Sequence, residues 1–239
     1  MLVASSVLVS AGCRVEGVVT VEVEPDASGL VTIEVTLDAD ATEQLGDPAE
    51  ELELDDLTAA GWAVRPPTVD DGGTTLSASK PFVGEAGLTS VMAELGSDVV
   101  TGVGLDVSDG FGSTSWRLGA TLSAPADLAA FSDPDVTAAL DGLPLGRTAE
   151  ELERGLGTEP SVPLTFRVEL PGGIDAASGG ADVDGSTHEW TIDLAAGARS
   201  EQLALAASSR SIGPWLLVIL AGTTAISSVI LLLWRRTIR

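Results

Sequence analysis

Residues Trp215 to Trp234 constrain this chain more than any other stretch, because they run for twenty residues without one charge. At roughly 1.5 Å rise per residue, a helix of that length covers the ~30 Å hydrocarbon core of a bilayer. A Trp stands at each end, where indole favours the headgroup zone, and Arg235, Arg236 and Arg239 follow at once. A buried helix of a soluble protein is the competing reading, and length, uniform apolarity and flanks all weigh against it. The hydroxyls of Thr223, Thr224, Ser227 and Ser228 are tolerable in lipid, since each can bond a carbonyl one turn back. The sequence thus predicts a transmembrane helix over 211–234 and a basic cytoplasmic tail over 235–239. The nearest basic residue before the span is Arg210, alone. By the positive-inside rule everything upstream is extracytoplasmic, on a single-pass protein of the cell membrane.

Charge narrows the partners of the outer part. All 36 acidic residues precede the span, against nine of the twelve basic ones, a net charge of −27. Such a surface repels nucleic acid and anionic headgroups, which excludes phosphate-backbone binding; it otherwise reads as solvated faces. One Lys against eleven Arg, with abundant Ala, Gly and Asp, suggests a high-GC bacterial genome. A single Cys excludes an intramolecular disulfide.

That Cys closes the N-terminal segment. Residues 1–12 are uncharged and too few to span a membrane, but they suit the apolar core of a signal peptide. Ser10, Ala11 and Gly12 run into Cys13, which resembles a bacterial lipobox and marks Cys13 as a lipidation site. Ser10 stands where the motif carries Leu, Val or Ile, and a basic n-region is missing. An unmodified, buried Cys is the alternative.

Residues 13–210 form the outer domain. Val15 to Glu24 and Val31 to Leu37 alternate at period two around Pro25-Asp26-Ala27-Ser28-Gly29, a strand hairpin with one buried face. A helix is expected from Pro48, with Asp47 and Glu50 as a capping box and Gly61 as its stop. Trp62 to Arg65 begins a third strand, interrupted at Pro66-Pro67, and Thr74 to Phe82 is a fourth. Leu88, Val91, Met92 and Leu95 make one stripe of a second helix. Strands at Val99–Ser108 and Ser113–Ser123 follow, joined by Asp109-Gly110-Phe111-Gly112. Short helices are expected near 133–140 and 148–155. Strands resume at Pro163–Leu170, Thr187–Leu194 and Gln202–Ala207. The Gly-rich stretch Pro171–Gly185 reads as an exposed, mobile loop. This order predicts an α+β fold: an antiparallel β-sheet with helices packed on one face, plus the C-terminal transmembrane helix.

These parts, taken together, resemble the LppM family of actinobacterial envelope lipoproteins. The resemblance is carried by the Cys13 start, the first hairpin, Gly61-Trp62, and the Asp70–Phe82 segment ending in Lys80-Pro81-Phe82. Pro171-Gly172, Asp184-Gly185, Trp190 two residues before Ile192, and the apolar span with its Arg-rich tail complete it. The family usually carries Asn where this chain has Asp184, and both suit tight turns. The resemblance implies an α+β domain outside the cell that interacts with envelope glycolipid, and it brings no enzymatic activity.

The residues themselves point away from catalysis. The only His is His188, beside Glu189 in an expected strand, and it reads as a solvated or edge-strand side chain. One His and one Cys leave no Cys–His site and no His-based zinc cage, and no nucleophile elbow is present. Asp182-Val183-Asp184-Gly185 opens like a calcium loop but lacks the later ligands and the closing Glu, so it reads as a turn. Gly102, Gly104, Gly110 and Gly112 precede no helix that could cradle phosphate, and read as strand bulges or turns. No catalytic residue, metal ligand or cofactor is therefore expected. Most aromatic rings are expected in the core, in a domain without Tyr. The sharper reading assigns Trp62 and Phe82 to a ligand-binding groove, because a strand broken at Pro66-Pro67 opens a gap at the sheet edge. Trp215, Trp234, Arg235 and Arg236 are the membrane-interface residues. Two functions compete: a non-enzymatic, membrane-anchored envelope lipoprotein whose outer domain binds membrane lipid or glycolipid, and a structural or adaptor subunit for another envelope protein.

Overall fold

The computed structural model describes residues 14–45, 54–70, 73–95, 99–124 and 161–210. The first hairpin forms as its alternation predicts: β1 (Val15–Val23) and β2 (Ser28–Leu37) pair antiparallel, with Val15 opposite Leu37 and Val23 opposite Gly29. Val19, Val21, Val23 and Val31 are buried, as period two requires for one covered face. In the turn, the hydroxyl and backbone N–H of Ser28 both donate to Asp26 Oδ1, and hold that carboxyl below its ordinary value of 3.8.

Asp38 then caps α1 (Ala39–Leu45): its Oδ1 accepts the Ala41 N–H at 2.8 Å, while Oδ2 accepts the Arg14 N–H at the start of β1. The sequence pattern alone does not predict this helix. The helix expected from Pro48 is described only as α2 (Leu54–Ala59), since 46–53 lie outside the described residues. Its predicted stop holds: Gly61 takes φ +90°, with Gly61 N–H bonding Thr58 O and Trp62 N–H bonding Leu57 O. That pair of bonds is a Schellman motif, and it delivers Trp62 directly into the next strand.

β3 (Ala63–Asp70) carries Pro66-Pro67 without ending. It is the edge strand, and its register against β4 (Gly73–Val83) shifts between Arg65 and Thr68. Proline costs least at such an edge, where no ladder N–H is needed. The second predicted helix is α3 (Gly84–Ala93), with Leu88, Val91 and Met92 buried. β5 (Val100–Gly110) and β6 (Ser113–Ala124) form the second hairpin, and β7 (Pro163–Glu169) follows. The stretch expected to be a mobile loop instead holds β8 (Gly173–Ala177) and β9 (Ala181–Asp182), ahead of β10 (Thr187–Asp193) and β11 (Arg199–Arg210).

The expected α+β fold is corrected by the pairing. The strands divide into a seven-stranded sheet, β3-β4-β2-β1-β7-β10-β9, and a four-stranded sheet, β5-β6-β11-β8. β1 and β7 run parallel, Gly17 opposite Leu164. One core serves both sheets: Val21, Val31, Phe166, Val168, Trp190 and Ile192 come from the larger, and Leu105, Trp116, Leu118, Leu122, Leu203 and Leu205 from the smaller. A second sheet therefore covers the face that helices were expected to cover, and the described helices have only seven, six and ten residues. The expected transmembrane helix is not part of this structure: among the described residues no helix is long and apolar enough to cross a membrane. Residues 211–234 lie outside the described ones, as do Cys13, segment 1–12, the tail 235–239 and the helices expected near 133–140 and 148–155.

The smaller sheet is tied to the larger at Ser178-Gly179-Gly180, where the chain passes from β8 to β9. Trp190 Nε1 donates to Ser178 O at 2.6 Å, and His188 Nε2 lies 2.7 Å from Gly179 O. A Cβ on Gly180, whose φ is +66°, would stand 2.3 Å from Glu189 O, so the crossing admits no side chain there. These bonds explain why a stretch with five glycines is held in place.

The strand register sets the two ends of the described domain apart. Val15, Pro163, Asp193 and Arg199 begin or end their strands at one end. β11 finishes at the other end: Ser208 lies opposite Gly173, just beyond the end of β7, and Arg210 lies opposite Ser113.

Candidate functional site

Trp62 and Phe82, the two expected ligand-binding residues, are brought to either side of α3. Both are in the core at 3% exposure. Phe82 packs beside Gly87 of α3, and its ring lies over Gly29 of β2, where a Cβ would come within 2.4 Å of it. Trp62 sits at the far end of the helix. Its Nε1 donates to Glu94 Oε2 at 3.0 Å, and the Lys80 ammonium lies 5.8 Å from its ring centroid.

Lys80 closes this arrangement. It donates to Glu94 Oε1 at 2.8 Å, to Glu94 Oε2 at 2.7 Å and to Ala60 O at 2.6 Å, so all three of its N–H groups are used. The Lys80 bond, and after it the Trp62 indole N–H, hold the Glu94 carboxyl below its ordinary value of 4.5. The surface nearest Trp62 is therefore a lysine and a carboxylate already committed to each other. The only lysine of the chain serves this clasp.

A groove opens next to it, between α3 and β5. Its walls are Thr89, Met92 and Ala93 from the helix and Val100, Thr101, Gly102 and Val103 from the strand, with a volume of about 200 Å³. No charged side chain lines it. The groove owes its shape to a β-bulge. Thr101 pairs with Thr121 and Gly104 with Gly119, so Gly102 and Val103 together oppose one residue of β6. Gly102 takes φ +61°, which a glycine accepts without strain, and a Cβ there would meet nothing within 4 Å. The Thr89 hydroxyl bridges helix and bulge, 2.9 Å from Glu85 O and 3.2 Å from Val103 O.

The sequence marks Gly102 as a bulge or turn and sets Met92 on an apolar stripe. It does not join them, because which helix packs against which strand edge leaves no trace in local periodicity.

His188 is not the solvated side chain expected. It is buried, bonded to Gly179 O through Nε2, and packed against Trp190 with ring centroids 4.6 Å apart. Its Nδ1 makes no hydrogen bond among the described residues. Asp184 accepts the N–H and hydroxyl of Ser186 and the N–H of Thr187. These bonds lower its carboxyl pKa and make the Asp182–Ser186 segment a capped turn. Among the described residues, no group of three or more His, Cys, Asp or Glu is placed to hold a metal ion.

The residues that carried the family resemblance thus have visible structural roles here. Gly61-Trp62 ends α2, Lys80 holds Glu94, and Trp190 clips the sheet crossing. Cys13, Trp215, Trp234, Arg235 and Arg236 lie outside the described residues. No protein-family model and no curated protein matches the chain. Among solved structures, the chain is similar to the folded domain of the Mycobacterium tuberculosis LppM protein, determined by NMR. The TM-score is 0.42 and the identity 15%, over 87% of this chain and 98% of that one.

Proposed function

We propose that this chain is a non-enzymatic, membrane-associated protein of the cell envelope whose β domain takes up the acyl part of an envelope lipid or glycolipid. The observation that carries this reading is the uncharged groove between α3 and β5. At about 200 Å³ it is smaller than the sites that enclose whole drug-sized ligands, so it suits a length of acyl chain with the headgroup left outside. Two features of the sequence support the setting. Residues 215–234 carry no charge and would partition into lipid, and an acyl group on Cys13 would add a second tether. The chain's net charge of −24 disfavours anionic headgroups, which leaves neutral or glycosylated ones.

The spacing of the two attachment points bears on how such a chain would sit. Arg14, which follows Cys13, adjoins the start of β1, at the end opposite Arg210. β11 is 12 residues long, on the order of 36 Å from end to end at about 3.3 Å per residue. A chain held at both points lies along the membrane; in a chain held only beyond Arg210 the groove, at the start of β5, is kept at the far end.

The test is uptake of a fluorescent-acyl glycosyl diacylglycerol, a neutral glycolipid, by the full chain and two groove variants. Ala93 and Thr101 are exposed, so Ala93→Trp fills the groove and Thr101→Asp charges it at little cost to folding. Both should lower uptake about tenfold or more, since a carboxylate in an acyl site must be desolvated. Uptake equal to that of the unaltered chain in both variants would overturn the proposal.

A further inference from the structure

The aromatic rings of this domain are buried with one exception among the described residues. Trp62, Phe82, Trp116, Phe166 and Trp190 are at most 3% exposed, whereas Phe111 is 67% exposed. Phe111 and Gly112 form the two-residue turn between β5 and β6, closed by the pairing of Gly110 with Ser113. Gly112 takes φ +75°, as the second turn residue of this kind requires, and the backbone places no such demand on the residue before it. An aromatic at this tip calls for another explanation.

The register supplies one. Ser113, next to the turn, pairs with Arg210, the last described residue of β11. The hairpin tip and the C-terminal exit therefore lie at one end of the smaller sheet, one strand apart. Only Ser211, Ile212, Gly213 and Pro214 separate Arg210 from Trp215, where the uncharged stretch begins. Fully extended, those five steps reach at most about 18 Å.

Charge agrees with this placement. Within the last five residues of β5 and β11 and the first five of β6, the charged groups are Asp106, Asp109, Arg117 and Arg210, which sum to zero. Asp106 pairs with Arg117 at 3.5 Å, and Asp109 accepts the Thr114 hydroxyl at 2.8 Å. Asp175 on β8 adds one negative charge at the flank. The tip of the smaller sheet is thus close to neutral, whereas Glu22, Glu169, Asp182 and Asp184 stand at the same end of the larger sheet, so it is the β5–β6 tip that can approach a headgroup layer.

We propose that Phe111 is a membrane-contacting residue: the tip of the β5–β6 hairpin rests in the interfacial layer of the bilayer that holds residues 215–234. This rests on the membrane association proposed above and names the surface through which the domain meets the bilayer. It also sets the distance of the groove. Val103 lies seven residues back from Gly110, roughly 23 Å along the strand at about 3.3 Å per residue. With the tip at the interface and no second tether, a lipid in the groove has left the bilayer.

The test uses the full chain with Cys13→Ser as background, in phosphatidylcholine vesicles containing a nitroxide-labelled lipid. An environment-sensitive fluorophore is attached at Phe111→Cys, or at Val69→Cys as control. Val69 is exposed and pairs with Thr74, which pairs with Leu37 and so with Val15, at the opposite end of the larger sheet. The expected result is a blue shift and loss of emission at position 111 on adding vesicles, with position 69 unchanged. If the chain floats with vesicles but the label at 111 behaves like the one at 69, this inference falls and the membrane reading stands. If the chain does not float with vesicles, both fall.

Discussion

Replacing Trp62 with Ala separates a structural tryptophan from a ligand-facing one. The side chain is 3% exposed, and its indole N–H is bonded to Glu94. Truncating a buried Trp costs roughly 3–5 kcal/mol, through lost transfer energy and the cavity left behind. That is a large part of the ~5–15 kcal/mol by which a domain is stable. At roughly 2–4 °C per kcal/mol for a domain of this size, melting should fall by about 6–20 °C. Trp62→Phe keeps most of the apolar volume and loses the hydrogen bond, so it should cost less than half as much. Thermal unfolding of the full chain in a neutral detergent, followed by circular dichroism, reads both. A Trp62→Ala protein that melts with the unaltered chain yet takes up no lipid would refute the packing argument and make Trp62 a ligand contact.

Two further outcomes rest on the hydrogen bonds. Glu94 has its folded pKa depressed, so the stability it contributes is present above its unfolded value, near 4.5, and is lost as pH falls through the folded one. Urea midpoints should therefore hold from about pH 7 to 5 and drop below about 4.5. In Lys80→Met the drop should be shallower, and an unchanged acid limb would count against the clasp. Trp190 donates to Ser178 O, while Trp116 Nε1 is buried without a partner among the described residues. Trp190→Phe should accordingly cost about 1 kcal/mol more than Trp116→Phe in denaturant unfolding, and equal costs would contradict that reading.

How far the fold is legible in the sequence depends on the range of the interaction. The Val15–Leu37 hairpin, the Gly61 stop and the Leu88-Val91-Met92 stripe are local: spacing and turn chemistry decide them within a few residues. α1 escapes notice although Asp38 before Ala39-Asp40-Ala41 is a fair N-cap signal, because the stronger Asp47-Pro48 signal lies close by. The two-sheet arrangement is not legible. Strands β5, β6 and β11 alternate as any half-buried strands do, and alternation does not say which sheet covers which face. The Pro171–Gly185 stretch misleads for a related reason, since its order comes from Trp190 and His188, placed there by tertiary pairing. The groove is the least legible feature, because it needs the Gly102 bulge and the flank of α3 at once. Trp62 and Phe82 are both in the core, beside Gly87 and Glu94 at the two ends of α3, and neither lines the groove.

The proposed function stands or falls on an acyl chain lying between α3 and β5. The most direct measurement is photo-crosslinking of the full chain with a glycosyl diacylglycerol that carries a diazirine within one acyl chain, followed by peptide mapping. Adducts are expected on Thr89–Ala93 and Val100–Val103, and should be lost in Ala93→Trp. Adducts confined to the Phe111 tip and residues 211–239, with none on these two segments, would show a protein that touches lipid only where it meets the membrane and would contradict the claim.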